Sequence, residues 1–165
     1  MNIIIKNIIN FMTSKYFNIY NNLIKLTRNK NLYNEKKQDS FYDRLIIFFF
    51  HLSFLLKEYK NIENKEEMQK FFDFCVRQIE LSIREIGYGD ATINKKMKDY
   101  VNLLFSIIDK IDKWNSNNND EKLEIFKIYI PIGDNGLFFI DYFEKYRNFI
   151  AKNSFNSLSK DIINL

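Results

Sequence analysis

From Leu45 to Leu56 the chain is apolar almost all the way round a helix, interrupted only by His51 and Ser53. A segment of that kind has no face to turn to water, so it belongs at the buried centre of a helical bundle. An alternative lets part of its girth face an apolar ligand. It falls short of the roughly 18 apolar residues that span a bilayer. The rest of the chain has to supply its walls.

Those walls are legible as helical stripes. Ser40 is a good N-cap for the central helix, with Asp43 in its first turn, where a carboxylate favours the positive end of the helix dipole. The helix continues through Phe41, Leu45, Phe48, Phe49, Leu52, Leu55, Leu56 and Tyr59. Before it, Tyr16, Phe17, Tyr20, Leu23, Ile24 and Thr27 fall on one face, predicting a helix from about 15 to 29 with Ser14 as its cap. Residues 1–12 read as a frayed helix or an apolar arm, and Asn29–Gln38 as a loop. After the central helix, Asn64 and Glu67 make a capping box for a helix carrying Met68, Phe71, Phe72, Cys75, Val76, Ile79, Ile83 and Ile86. Gly87 ends it, and Asp90 or Thr92 caps the next, with Ile93, Met97, Tyr100, Val101, Leu104, Phe105, Ile108 and Ile111 along it.

Leu123–Ile130 is β-branched enough to be helix or strand. A lone strand has no partner here, so helix is the reading. Asp134 or Asn135 caps a last helix through Phe138, Phe139, Tyr142, Phe143, Tyr146, Phe149 and Ile150. The expectation is an all-α, single-domain bundle of six to seven helices, with an arm at 1–14, the helical domain at 15–152 and a weakly helical tail at 153–165.

Composition narrows the function more than it names it. At 165 residues, 46% hydrophobic and 17% aromatic, the chain carries enough apolar mass for a core filled by rings. One cysteine, Cys75, excludes an internal disulfide and fits a reducing compartment. The net charge of +4 is uneven: residues 1–39 hold seven Lys/Arg against Glu35 and Asp39, and the remainder is close to balanced. Such an end can touch a membrane surface, RNA or a ribosome, or simply keep the chain in solution. Tyr16, Tyr20 and Tyr33 among these lysines hint at nucleic acid, but the tyrosines share the apolar face, which packs them inward, and no recognition motif accompanies them. No specific nucleic acid is expected. Met1–Met12 has neither the cleavage site of a signal peptide nor the arginines of a transit peptide.

No catalytic constellation emerges. Gly87-Tyr88-Gly89 lacks the third glycine and the preceding strand of a phosphate loop. His51 sits in the most apolar helix as a core residue, without partners for a metal. Neither Glu80 with Glu85 nor Asp73 with Glu80 supplies the Glu-x-x-His of a di-iron site. Cys75 lies in a core stripe with no cue for a low pKa. No cofactor and no metal are expected. Arg84 and Glu85 flank the corner. Arg84 reads either as a last-turn cation paired with Asp90 or as part of a recognition surface.

That corner carries a resemblance. Ser82-Ile83-Arg84-Glu85-Ile86-Gly87-Tyr88-Gly89-Asp90, followed by Asn94-Lys95-Lys96-Met97-Lys98, resembles the S-L-R-E-M-G-V-G-D signature and lysine-rich stretch of the ubiquinol–cytochrome c chaperone family. Phe41-Tyr42-Asp43-Arg44-Leu45 with His51-Leu52 is similar to the family's R-F-x-x-L…L-H-L helix. Phe71-Phe72-Asp73 with Gln78-Ile79-Glu80 is similar to its F-D…D-x-D segment. Tyr88 stands where a smaller aliphatic residue is usual, and Asn94 where glycine is common. The resemblance spans roughly residues 15–150, loosely in the last third.

What it implies is an assembly factor, not an enzyme, acting on apocytochrome b or its nascent chain in ubiquinol–cytochrome c reductase (respiratory complex III). It also implies a small helical co-chaperone, the ribosome or the membrane surface as further partners. The expected location is the bacterial cytoplasm, peripheral to the inner membrane, with the mitochondrial matrix as the alternative. The expected client site is an apolar groove between the helices at 41–59 and 68–86, lined by Phe48, Phe49, Leu52, Phe71 and Phe72. Its charged rim is Arg84, Glu85, Tyr88, Asp90, Lys95 and Lys96, around the structural glycines Gly87 and Gly89. The competing expectation is a helical adaptor or membrane-surface protein unrelated to respiratory assembly.

Overall fold

The computed structural model describes residues 3–33, 40–60 and 65–160. Among them are six α-helices, α1 (Ile3–Leu26), α2 (Phe41–Tyr59), α3 (Lys65–Ile86), α4 (Asp90–Asp112), α5 (Asn119–Tyr129) and α6 (Gly136–Lys152), and no strand. The fold is all-α, as the stripes require.

α2 is the axis. Every residue from Leu45 to Leu55 is buried, His51 and Ser53 included. Burial on all sides follows from a helix without a polar face, since each exposed large side chain would forgo roughly 1.5–3 kcal/mol of transfer free energy. Ser40 starts it as expected: its hydroxyl accepts from the Asp43 amide while the Asp43 carboxylate accepts from the Ser40 amide. α1, α4 and α6 pack on α2, and α5 packs on α6. Ring contacts fill the interior. Phe54 meets Trp114 edge-on at 5.0 Å, and Phe50, Phe126 and Phe143 cluster with centroids 5.0–5.6 Å apart. Tilted and edge-on pairs suit the ring quadrupole better than a face-to-face sandwich.

His51 is satisfied inside this packing. Its Nδ1 lies 2.8 Å from the Ile47 carbonyl and its Nε2 lies 2.8 Å from the Tyr142 hydroxyl. A carbonyl only accepts, so Nδ1 carries the proton and Tyr142 donates to Nε2. Tyr146 closes the cluster by donating to the His51 carbonyl at 3.1 Å.

Several boundaries differ from expectation. α1 begins at Ile3, so Ser14 lies inside the helix and does not cap it. Asn64 lies outside the described residues. α4 is capped by Gly89 without a side-chain hydrogen bond, and Asp90 is the first helical residue instead. Asn135 stands at the N-cap position of α6 as expected, but it makes no side-chain cap bond, and a 3-10 turn at Gly133–Asn135 runs into the helix. Beyond α6, Phe155 and Leu158 are buried. The Asn22 amide donates to the Leu158 carbonyl at 2.9 Å, and Tyr59 Oη lies 2.8 Å from the Ile150 and Asn153 carbonyls. Lys15 on α1 pairs with Glu67 on α3 and sits over the Phe155 ring. The chain after α6 therefore closes the bundle over α1.

Candidate functional site

The expected groove is not a groove. Phe48, Phe49, Leu52 and Phe71 are each no more than 2% exposed and belong to the core. The reason is contained in the sequence: a helix that is apolar on every side is enclosed by its neighbours, so its rings have no open face to offer. Only Phe72 is partly exposed.

The corner is open. α3 ends at Ile86, and Gly87 adopts φ +98°, its amide donating to the Arg84 carbonyl at 3.0 Å. That left-handed conformation costs an L-residue about 1–2 kcal/mol, which explains glycine there. Gly89 is different. Its φ is −72°, and a Cβ built on it would meet nothing within 4 Å. Neither the backbone nor the packing requires glycine at 89, and a serine or asparagine would cap α4 better.

Arg84 is held in a fork. Its Nε donates to Glu80 Oε1 at 3.0 Å and its Nη1 to Asp90 Oδ1 at 2.6 Å, while Arg77 reaches the other Glu80 oxygen at 3.2 Å. The hydrogen bond from Arg84 lowers the Glu80 pKa, and those that Arg84 donates to Asp90 and then Glu80 raise its own. The sequence reading that pairs Arg84 with Asp90 is thus realised, and the fork extends it back along α3. Exposed ion pairs of this sort contribute little to stability but fix the plane of a guanidinium.

Three apolar side chains near the turn are exposed. Leu81 is 38% exposed, Ile86 53% and Tyr88 43%. Lys96 Nζ lies 4.7 Å from the centre of the Tyr88 ring, a cation–π contact between the turn and α4. Glu85 and Lys95 are exposed beside it, and among the described residues neither Lys95 nor Lys96 has an ion-pair partner. Of the expected residues, Arg84 meets Asp90 and Lys96 meets Tyr88 across the turn, while Glu85 and Lys95 are exposed and Lys96 is half-buried. Leu81 and Ile86 are exposed on α3 as well. Leu81 was findable because it lies off the stripe of its helix, whereas Ile86 was assigned to the stripe and proves exposed.

The tyrosines of the basic N-terminal region pack inward: Tyr16 lies edge-on to Phe71 at 5.6 Å, Tyr20 to Phe48 at 5.3 Å, and Tyr33 donates to the Thr27 carbonyl. Cys75 is fully buried, and burial pushes its thiol pKa well up, the opposite of a reactive cysteine. Among the described residues no group of His, Cys, Asp and Glu could hold a metal ion, and no helix is long and apolar enough to cross a membrane.

The sequence model of one protein family, described as Ubiquinol-cytochrome C chaperone, matches residues 36–125. That span runs from before α2 into α5 and contains the whole corner. No curated protein and no solved structure matches the chain.

Proposed function

The chain belongs to the ubiquinol–cytochrome c chaperone family, and from that membership we propose that it binds apocytochrome b during assembly of respiratory complex III. The family points to a non-enzymatic assembly role in complex III, and the identity of the client is our reading. It works as a holdase: the corner covers an apolar segment of cytochrome b until its partners arrive. The client is met at the inner face of the membrane into which it inserts, in the bacterial cytoplasm.

The observation that carries this reading is the combination at the corner. Leu81, Ile86 and Tyr88 are exposed in the last turns of α3 and the turn after it, the same turn that the Arg84 guanidinium, held by Glu80 and Asp90, bridges. Aromatic and arginine anchors within a polar rim are the composition of binding hot spots. Gly89, which no contact within the chain requires, leaves the backbone open to close approach.

A photo-crosslinking residue at position 88, in cells synthesising cytochrome b, tests the site. The expected product is an adduct with newly made apocytochrome b, and a crosslinker at exposed Lys145 on α6 gives none. Equal labelling from both positions, or no adduct from a folded chain, overturns the assignment.

A further inference from the structure

A second open surface lies at the other end of α3, about 20 Å from the corner along the helix axis. The end of α2, the first turns of α3 and the last turns of α4 enclose a groove of about 590 Å³. Its floor is apolar: Met68 and Phe72 from α3 face Phe105 and Ile108 from α4. The Phe72 and Phe105 rings stack at 5.6 Å with 24° between their planes, and Phe105 is 49% exposed. Its size falls within the roughly 300–1,000 Å³ of ligand-binding clefts.

The rim is charged with one sign in excess. Among the described residues that line it, Lys57, Lys60 and Lys65 stand against Asp112 alone. Lys60 takes Asp112 at 3.1 Å. Lys57 donates to the carbonyls of Ile111 and Asp112, both at 2.6 Å, so its ammonium is fixed at the end of α4 with no carboxylate bonded to it among the described residues. A cation on the last carbonyls of a helix complements the dipole but leaves its charge available to a ligand.

We propose that this groove docks a helical segment of another protein, with an apolar face along Phe72 and Phe105 and acidic residues at the lysine rim. The floor argues for a helix. Met68 and Phe72 are four residues apart on one helix, and Phe105 and Ile108 three apart on the other, so each pair makes a ridge, and the two ridges meet at the Phe72–Phe105 stack to floor a trough against the end of α2. A third helix packs its side-chain ridge into such a trough. The rim argues for acid: a carboxylate meets two or three ammonium groups, and a lysine meets repulsion. The inference stands apart from the corner and holds or fails whichever client the corner takes.

The test uses the full chain and two fluorescein-labelled synthetic helices, each with leucines at i, i+3, i+4 and i+7. One carries flanking glutamates and the other flanking lysines. The glutamate helix binds saturably in anisotropy titrations, at least about tenfold tighter than the lysine helix, and weakens with salt. Phe105→Ala weakens it, and the double variant Lys60→Glu with Lys65→Glu reverses the preference. These side chains lie at the surface, and circular dichroism of each variant verifies the fold. Equal affinity for both helices, no binding of either, or indifference to Phe105→Ala overturns the proposal. Self-association abolished by Phe105→Ala would assign the groove to a second copy, and binding of dodecanoate but not the peptide to a small anion. Either result also overturns it.

Discussion

Arg84 in the last turn of α3 donates from Nη1 to Asp90 Oδ1, the first residue of α4, at 2.6 Å. One guanidinium thus bridges two helices across the Gly87 turn, and Glu80 holds it from behind at 3.0 Å. Both partners are exposed, the Asp90 side chain most of all at 82%. A bridge in that position organises a surface more than it supports a core.

Arg84→Ala is therefore expected to leave the thermal midpoint almost unchanged while client crosslinking at the corner drops severalfold. Differential scanning fluorimetry beside the crosslinking assay checks both halves. A large fall in the midpoint would make the fork structural.

The two glycines separate backbone need from surface need. Gly87→Ala places an L-residue at φ +98° and costs about 1–2 kcal/mol in urea unfolding. Gly89→Ser supplies the missing side-chain cap of α4 and raises stability by only a few tenths, about 0.3 kcal/mol. If position 89 approaches the client closely, Gly89→Ser stabilises the chain and still weakens binding. A variant that gains stability and keeps full binding removes Gly89 from the surface.

His51 makes folding sensitive to acid. Burial among rings pushes its pKa down from 6.5 to about 4. The unfolded chain therefore takes up this proton at higher pH than the folded one. The stability involved is present above pH 6.5 and is lost as pH falls from 6.5 towards 4, to a total of about 3 kcal/mol. Urea titrations across that window measure the slope. His51→Leu flattens it, though the variant is less stable at neutral pH because the Tyr142 hydroxyl loses its acceptor.

Phe155 tests the closure of the bundle. It is fully buried and touches Tyr16, Tyr59 and Phe71 with centroids 5.2–6.5 Å away. Phe155→Ala should cost about 3–5 kcal/mol, the range for emptying a core of a large ring. A loss below about 1 kcal/mol would make the chain after α6 an accessory.

What was legible in the chain follows the physics of periodicity. Ser40 with Asp43 and Gly87 are local signals, fixed by a few atoms within one turn, and they stand where they were read. The stripe on α3 showed which face is buried, but not against what, so Ile86 was placed inside while it lies 53% exposed. The expected groove is core because aromatic residues mark burial and binding alike, and α2 has no face left over for binding. Phe155 escaped notice because a residue in a short turn has no period, and only tertiary contact with α1 and α3 gives it a role. The lysine-rimmed groove joins Lys57, Lys65 and Phe105 from three helices, a convergence no single window of sequence contains.

The proposed role in assembly of complex III is open to test in the cell. The most direct measurement is the amount of assembled complex III in membranes of a strain lacking the chain, beside the same strain carrying it back. A marked loss of assembled complex is expected, with cytochrome b still synthesised, restored by the wild-type chain and poorly by Arg84→Ala. Unchanged complex III in the deletion strain would contradict that role.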